Sequence, residues 1–529
     1  MLLIPSLSFH DKIFVRGLQE EWFTRLRRIP GAVASPPPEL TGSKDPLLMK
    51  YYRGVGGATR DRIEHGFMVE PNQMKIEMDV MLKEHEDSIR VMYHSWGTKP
   101  IMEGNTCKGV FFESKEDRKA VLARVVIDAT GDADLCRLSG APTSSAIDDE
   151  CRCSSTALVY RIGGFSKRAF NDWCSTHREE ARIMSNAVAE IHGFRAGMID
   201  GPTDDVSWMK NWQPKHDCSK IADQTDTEMK TRLAMRRVVE YYRIACPEIF
   251  RNAFLYDIAP QLGTRGSHRI VGEYVISSND WAFPKEHDDC IAWHCTVDTL
   301  NDNAPIEIPY RSILPQKVEN ILAPGRHISA DKIAIDNVNL IPQCVGTGQA
   351  AGVAAAVIAA DNSSTHTVDI RKVQDILAAE QDVPLPRNAH TDPSYMECIV
   401  AHEYGLYTEA AKKAREGTIT DVGDAEILNP QMIYPERSRS GSPIGLFGSG
   451  RQKKVQVQLP DETVVSGKLS MKVAEDLKPG GQGYAVVRSG KLIAWHYERP
   501  RHAFFRYQLL RVLNVIFPGT YWIIILLSD

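Results

Sequence analysis

The run Gly346–Ala360, GTGQAAGVAAAVIAA, restricts this 529-residue chain more than any other stretch. It is almost entirely Ala, Gly and Val, so a helix formed from it has no polar face to give to water and is expected to be buried. The helix is expected to open at Gly346-Thr347-Gly348-Gln349. There its unpaired amides and the positive end of its dipole would meet small residues only, a setting that suits an anionic or electron-rich ligand edge. Upstream, the short apolar strand Asn320–Ala323 stops at Pro324-Gly325-Arg326 and is followed by a polar loop. A plain core helix after a glycine turn satisfies the same pattern, and the residues of this stretch leave both readings open.

A second strand end has the same character. Val125–Ile127 is a continuous apolar run, as in a strand buried on both faces. It leads into Asp128-Ala129-Thr130-Gly131-Asp132, where Gly131 allows a sharp exit and close backbone approach at the carboxyl end of the strand. The competing reading is a strand-to-helix turn in which Asp132 caps the residues from Ala133 onward.

With those residues in view, Pro309–Ala356 resembles the closing flavin motif of FAD-dependent oxidoreductases of the heterodisulfide reductase A-like type. Val125–Pro142, Tyr160–Gly164 and Ile258–Tyr274 match the same family in the same order. The resemblance implies an α/β, FAD/NAD(P)-binding (Rossmann-like, three-layer) fold. It also implies an FAD cofactor and hydride or electron transfer with a small substrate, with an electron-transfer partner in view. Thr130, Gly131 and Asp132 would border the adenosine half of FAD, and Gly325 and Arg326 the ribityl and ring region. The amides of Gly346, Thr347, Gly348 and Gln349 would stabilise negative charge on the reduced ring. Arg265 and His268, in Gly-Thr-Arg-Gly-Ser-His-Arg, are the candidates for substrate contact and catalysis. Surface pairing of this basic cluster with Glu273 or Asp280 is the competing reading. The family's usual acidic residue at Gly266, arginine at His268 and histidine at Leu300 and Lys332 are replaced here.

The chain opens without the G-x-G-x-x-G turn that holds a dinucleotide diphosphate. Gly54-Val55-Gly56-Gly57 follows no strand and reads as a loop. The FAD-binding domain is therefore expected to be N-terminally incomplete by one β-α-β unit, ~30–50 residues. The alternative function is a non-catalytic remnant that binds no flavin and acts as an interaction protein.

The expected division is residues 1–150 and 311–390 for the two parts of the FAD-binding domain and 151–310 for the substrate domain. Residues 391–450 form a helical segment and linker, and 451–529 a β-rich accessory module with an apolar tail. Pro71–Glu86 reads as a helix with Met74, Met78, Met81 and Leu82 on its core face, and Phe9–Arg28 as a loop and helix with Trp22, Phe23 and Leu26 inward. Strands are expected at Arg90–Tyr93, Lys108–Glu113 and Val121–Asp128. One long helix is expected over Asp223–Ile249, capped by Thr225 or Asp226, with Met229, Leu233, Val238, Tyr241 and Tyr242 inward. Ala410–Glu416 reads as helical, 430–450 as linker, and two hairpins follow at Lys454–Leu469 and Tyr484–His496.

Several classes are set aside. A net charge of −5 argues against a bulk nucleic-acid binder. The eleven cysteines contain no CxxC, so no iron–sulfur ligand set is visible. Cys151 and Cys153 read as reduced thiols, and His294 and Cys295 alternate to opposite strand faces and do not read as metal ligands. Phe504–Leu527 is broken by Arg506, Gln508, Arg511, Asn514 and Pro518, so it reads as buried or interfacial, not spanning. A soluble, cytoplasmic protein is expected.

Overall fold

A computed structural model describes residues 3–4, 8–9, 12–34, 38–40, 43–52, 63, 67–149, 156–193, 198–201, 203–211, 213, 216–277, 280, 285–295, 305–332, 334–399, 414–427, 451–470, 477–488 and 490–496. The fold is mixed α/β, with a five-stranded β-barrel near the C-terminus. Gly54–Gly57, Cys151, Cys153, Leu300, the linker 430–450 and Phe504–Leu527 lie outside the described residues.

The first helix, Leu18–Arg27, carries Glu20 and Glu21 in its first turn and Arg25 and Arg27 in its last, matching its dipole. Trp22, Phe23 and Leu26 are buried, as their spacing predicts. The Pro71–Lys83 helix starts at a proline, and the Glu70 side chain accepts from the Asn72 amide. Only Met74 of its expected core face is buried; Met78 points outward.

Three antiparallel strands follow: Trp96–Glu103, Thr106–Ser114 and Asp117–Leu122. The expected strand Arg90–Tyr93 is absent, because no strand among the described residues lies alongside to take up its hydrogen bonds. The expected strand Val121–Asp128 is split. Leu122 ends the antiparallel sheet, and Val126–Ile127 changes partner to pair in parallel with Ile321–Leu322. That parallel pair sits between the three-stranded sheet and the long core helix Ile341–Asp361.

A four-stranded antiparallel sheet, ordered Met198–Asp200, Val206–Met209, Tyr160–Gly163 and Phe254–Ile258, builds a second core with two long helices, Arg178–His192 and Ile221–Ala245. The latter helix stops at Ala245 because Pro247 lacks an amide and restarts a separate turn, Pro247–Phe250. Lys220, not Thr225 or Asp226, stands at its N-terminus. Met229 and Leu233 are exposed, and Thr227, Thr231 and Met235 take the inward positions beside Val238 and Tyr242. Arg161 lies inside this region, its guanidinium bonded to both carboxylate oxygens of Asp257 and to Glu70, and held between the rings of Trp208 and Tyr256.

Ala414–Ile427 is a strand where a helix is expected up to Glu416. With the two hairpins, Arg451–Gln458/Val464–Ser470 and Gln482–Arg488/Lys491–His496, it closes the barrel, in which the third and fifth strands run parallel. Ile419, Val455, Val457, Leu469 and Trp495 fill it.

Candidate functional site

The parallel pair sends two loops off the same edge, and those loops meet. Asp128 ends the first strand with no exposed surface, a costly place for a carboxylate unless it is fully bonded. Its Oδ1 accepts from the Thr130 amide at 3.1 Å and hydroxyl at 2.7 Å, and its Oδ2 accepts from the Cys136 amide at 2.9 Å. Asp128, not Asp132, therefore organises the turn into the short helix Asp134–Leu138. Asp132 is free to face the second loop, where its Oδ2 accepts from Arg326 Nη2 at 3.1 Å and its Oδ1 from the Ser267 amide at 2.7 Å. Arg326 Nη2 also donates to Thr264 Oγ1 at 2.7 Å.

Gly131 has φ +84°, and a Cβ on it would lie 2.3 Å from Arg326 Cζ. Only glycine lets the guanidinium lie flat against this turn. On the second loop Gly325, at φ +99°, has open space where a Cβ would project, and its amide donates to Thr347 Oγ1 at 3.1 Å. Thr347 in turn donates to the Gln343 carbonyl at 2.7 Å, so one buried hydroxyl staples the loop to the core helix.

The core helix starts at Ile341 with Pro342 in its first turn, not at Gly346. Pro342 is the first-turn signal here, and it outweighs the glycines that follow. The unpaired amides therefore belong to Ile341 and Gln343, while those from Gly346 on are spent within the helix. The helix is also not buried all round, since Gly352 and Ala356 are exposed.

Of the expected cofactor residues, Thr130, Gly131, Asp132, Gly325, Arg326 and Thr347 come together. Gly346 faces Ala292 of the neighbouring hairpin. Gly348 and Gln349 line a groove against the first helix. There Gln349 Oε1 accepts from the Leu18 amide at 3.1 Å and its Nε2 donates to Gln381 Oε1 at 2.7 Å, beside an Arg16–Asp382 ion pair at 2.5 Å.

The basic cluster borders the junction. The Arg265 carbonyl accepts from Asn339 Nδ2 at 3.5 Å, and His268 Nδ1 lies 3.3 Å from Ser267 Oγ. The residues of the competing reading have other partners: Arg269 binds Asp149 and the Ala330 carbonyl, Glu273 lies near His366, and Asp280 bonds Tyr274. Burial pushes the Cys344 thiol up to about 12 against the nearby charges of Arg326 and Arg265, so it stays protonated. Burial, with Asp132 close by, does the same to Cys218.

Sequence reading missed Asp128, Thr264 and His327. His327 is buried, and its Nε2 donates to the Asp128 carbonyl at 3.0 Å. Burial holds the ring below its ordinary pKa and therefore neutral, leaving Nδ1 as a lone-pair acceptor with no partner among the described residues. Arg326 Nε is likewise buried without a partner there. Among the described residues no cluster of His, Cys, Asp and Glu suits a metal ion.

No curated protein matches the chain. Among solved structures it is similar to a geranylgeranyl bacteriochlorophyll reductase-like protein from Thermoplasma acidophilum, at 12% identity over 65% of this chain, with TM-score 0.32. The chain spans 65% of that protein's length. It is similar to a myxobacterial chondrochloren halogenase described as FAD-dependent, at 11% identity over 77% of this chain and 72% of that one, TM-score 0.32. The tetracycline destructase Tet(51) gives 9% identity over 75% of this chain and 88% of that one, TM-score 0.29. Residues 2–377, which contain both loops of the junction, match the family described as FAD dependent oxidoreductase, and the chain belongs to that family.

Proposed function

We propose that this chain is a flavoprotein oxidoreductase that holds FAD at the junction of Thr130–Asp132 with Gly325–Arg326 and exchanges electrons with a small substrate. The observation that carries the reading is the closure of two separated motifs, through Arg326–Asp132 on one side and Gly325–Thr347 on the other. The groups present fit one edge of a flavin. Gly325 leaves open space, Arg326 Nε and His327 Nδ1 are buried with bonding capacity to spare, and the first-turn amides of the Ile341 helix stand nearby in the chain. A glycine-rich cradle for the diphosphate is not among the described residues. The resemblance of Pro309–Ala356 to the heterodisulfide reductase A-like enzymes supports a narrower place within the family.

FAD, when bound, supplies the hydride chemistry. The chain's own part is electrostatic and positional. Arg326 places a permanent cation at the junction, and Asp132 and Thr264 hold its orientation. Neutral His327 locks the first loop through the Asp128 carbonyl. Arg265 and His268 lie where a substrate carboxylate could be bound.

One observation favours the second reading, a remnant that takes up no flavin: the Arg326 guanidinium already lies over Gly131. A titration of the purified full chain with FAD decides between them. Saturable quenching of flavin fluorescence, weakened in Arg326→Ala and Thr347→Val, supports the flavoprotein. A folded chain that leaves added FAD unquenched is the remnant.

A further inference from the structure

The Pro71–Lys83 helix is apolar on two sides. Met74 packs inward with the first helix, while Ile76 and Val80, one turn apart, face the opposite way and are largely exposed. Ile89, Val91 and Tyr93 join them in lining one open cleft of about 730 Å³; Arg90 and Met92 do not line it. Alternate residues on one side is the period of a β-strand. Among the described residues, however, this segment pairs with no strand, and Arg90–Tyr93 make no backbone–backbone hydrogen bond. The Tyr93 hydroxyl bonds Asp79 on the helix, so the segment is fixed against the cleft. Ile76, Val80, Ile89, Val91, Met92 and Tyr93 are all at least 41% exposed. Without Met92, those that line the cleft leave on the order of 400 Å² of apolar surface in water, the size of patch that is often functional and about half of the roughly 800 Å² each partner of a stable dimer buries.

We propose that this edge is an interface with a second copy of the chain. Residues 89–93 of the two copies pair antiparallel across a two-fold axis at Val91. The occupant follows from self-complementarity. In this register Ile89 meets the partner's Tyr93 and Val91 meets the partner's Val91, so every cleft-side pair is aromatic or β-branched. Within the pair the one charged position, Arg90, meets the partner's Met92, while Asp79, Lys83, Glu84 and Glu86 form the polar rim of the cleft. The pairing takes up the backbone groups of Arg90 and Met92, leaves the Ile89 amide on the His85 carbonyl, continues the cleft across the axis, and closes at two copies.

The test is the mass of the full-length protein in solution over a dilution series from micromolar concentration, by light scattering after size exclusion. The expected mass is twice the 59.2 kDa of one chain. Val91→Lys sets two ammonium groups against each other on the axis and is expected to halve the mass. Leu233→Lys, on the exposed side of the Ile221–Ala245 helix, is expected to leave it unchanged. Val91→Cys treated with diamide is expected to give a reducible dimer band that the parent chain lacks, which decides the matter even if Val91→Lys misfolds. A single-chain mass at every concentration overturns the proposal. So does a dimer that Val91→Lys leaves intact and Val91→Cys does not crosslink. Slow amide exchange at 89–93 in a monomer also overturns it, because another segment of the same chain then covers the cleft.

Discussion

Arg161 and Arg326 are both held by carboxylates, yet their surroundings differ in kind. The Arg161 side chain is 2% exposed and bonded at all three of its nitrogens: two carboxylates hold them and two aromatic rings cover its faces. The Arg326 side chain is 33% exposed, bonds one carboxylate and one hydroxyl through a single nitrogen, and keeps Nε unspent. A guanidinium bonded at every nitrogen and covered on both faces is a fastening, because it presents no open side to a ligand. One with donors in reserve, lying against a glycine at the edge of open space, still has bonds to give, which supports the proposal that it contacts flavin. The two arginines thus contrast a closed fastening with a guanidinium whose bonding is incomplete.

The largest effect should break the fixed region. Arg161→Met leaves Asp257 and Glu70 without their shared cation and is expected to cost about 3–5 kcal/mol in denaturant unfolding. A loss below about 1 kcal/mol would remove the distinction between the two arginines. The same region carries a large pH response. Burial lowers His192 to about 4, with Nε2 bonded to the Tyr160 hydroxyl at 2.8 Å. The unfolded chain takes up a proton at His192 near pH 6.5 that the fold refuses, so the His192 contribution to stability is full above that pH and is lost as pH drops toward 4. The drop should amount to about 3 kcal/mol and be absent in His192→Gln, as read from melts across this range.

Next is the junction itself. Gly131→Ala meets both a positive φ and the Arg326 guanidinium, and is expected to cost about 2 kcal/mol. In a double-mutant cycle with Arg326→Ala the combined loss should fall short of the sum, because removing the guanidinium relieves the clash. The smallest stability effect belongs to Arg326→Ala alone, within about 1 kcal/mol for a partly exposed pair. Its FAD affinity should nevertheless drop about tenfold, equivalent to ~1.4 kcal/mol. Equal effects on folding and on flavin would place Arg326 with Arg161.

Glycines at strand ends make both loops of the junction legible, since Gly131 and Gly325 stand out from apolar runs. What closes the junction is hidden, because Arg326 reaches Asp132, Thr264 and the turn at Gly131 from positions remote in sequence. Asp128 has a local signal, a carboxylate ending a buried strand, but Asp132 draws the capping role from it. Residues 90–93 have strand composition and no strand, which shows that propensity is realised only when a neighbour supplies hydrogen bonds. The inward face of Ile221–Ala245 is misjudged from its apolar residues because Thr227 and Thr231 bury their hydroxyls by bonding the Asp223 and Thr227 carbonyls one turn back, so polar residues occupy a core stripe.

Gln349 acts as a buckle. One side-chain amide joins the backbone at Leu18 to Gln381, so an early segment of the family-matched region is tied to residues just beyond its far end. Fraying at either point loosens the side chain that holds the other, and the two are expected to exchange their amide hydrogens at similar rates. A fragment that starts after Leu18 or stops before Gln381 would keep only one half of the clasp.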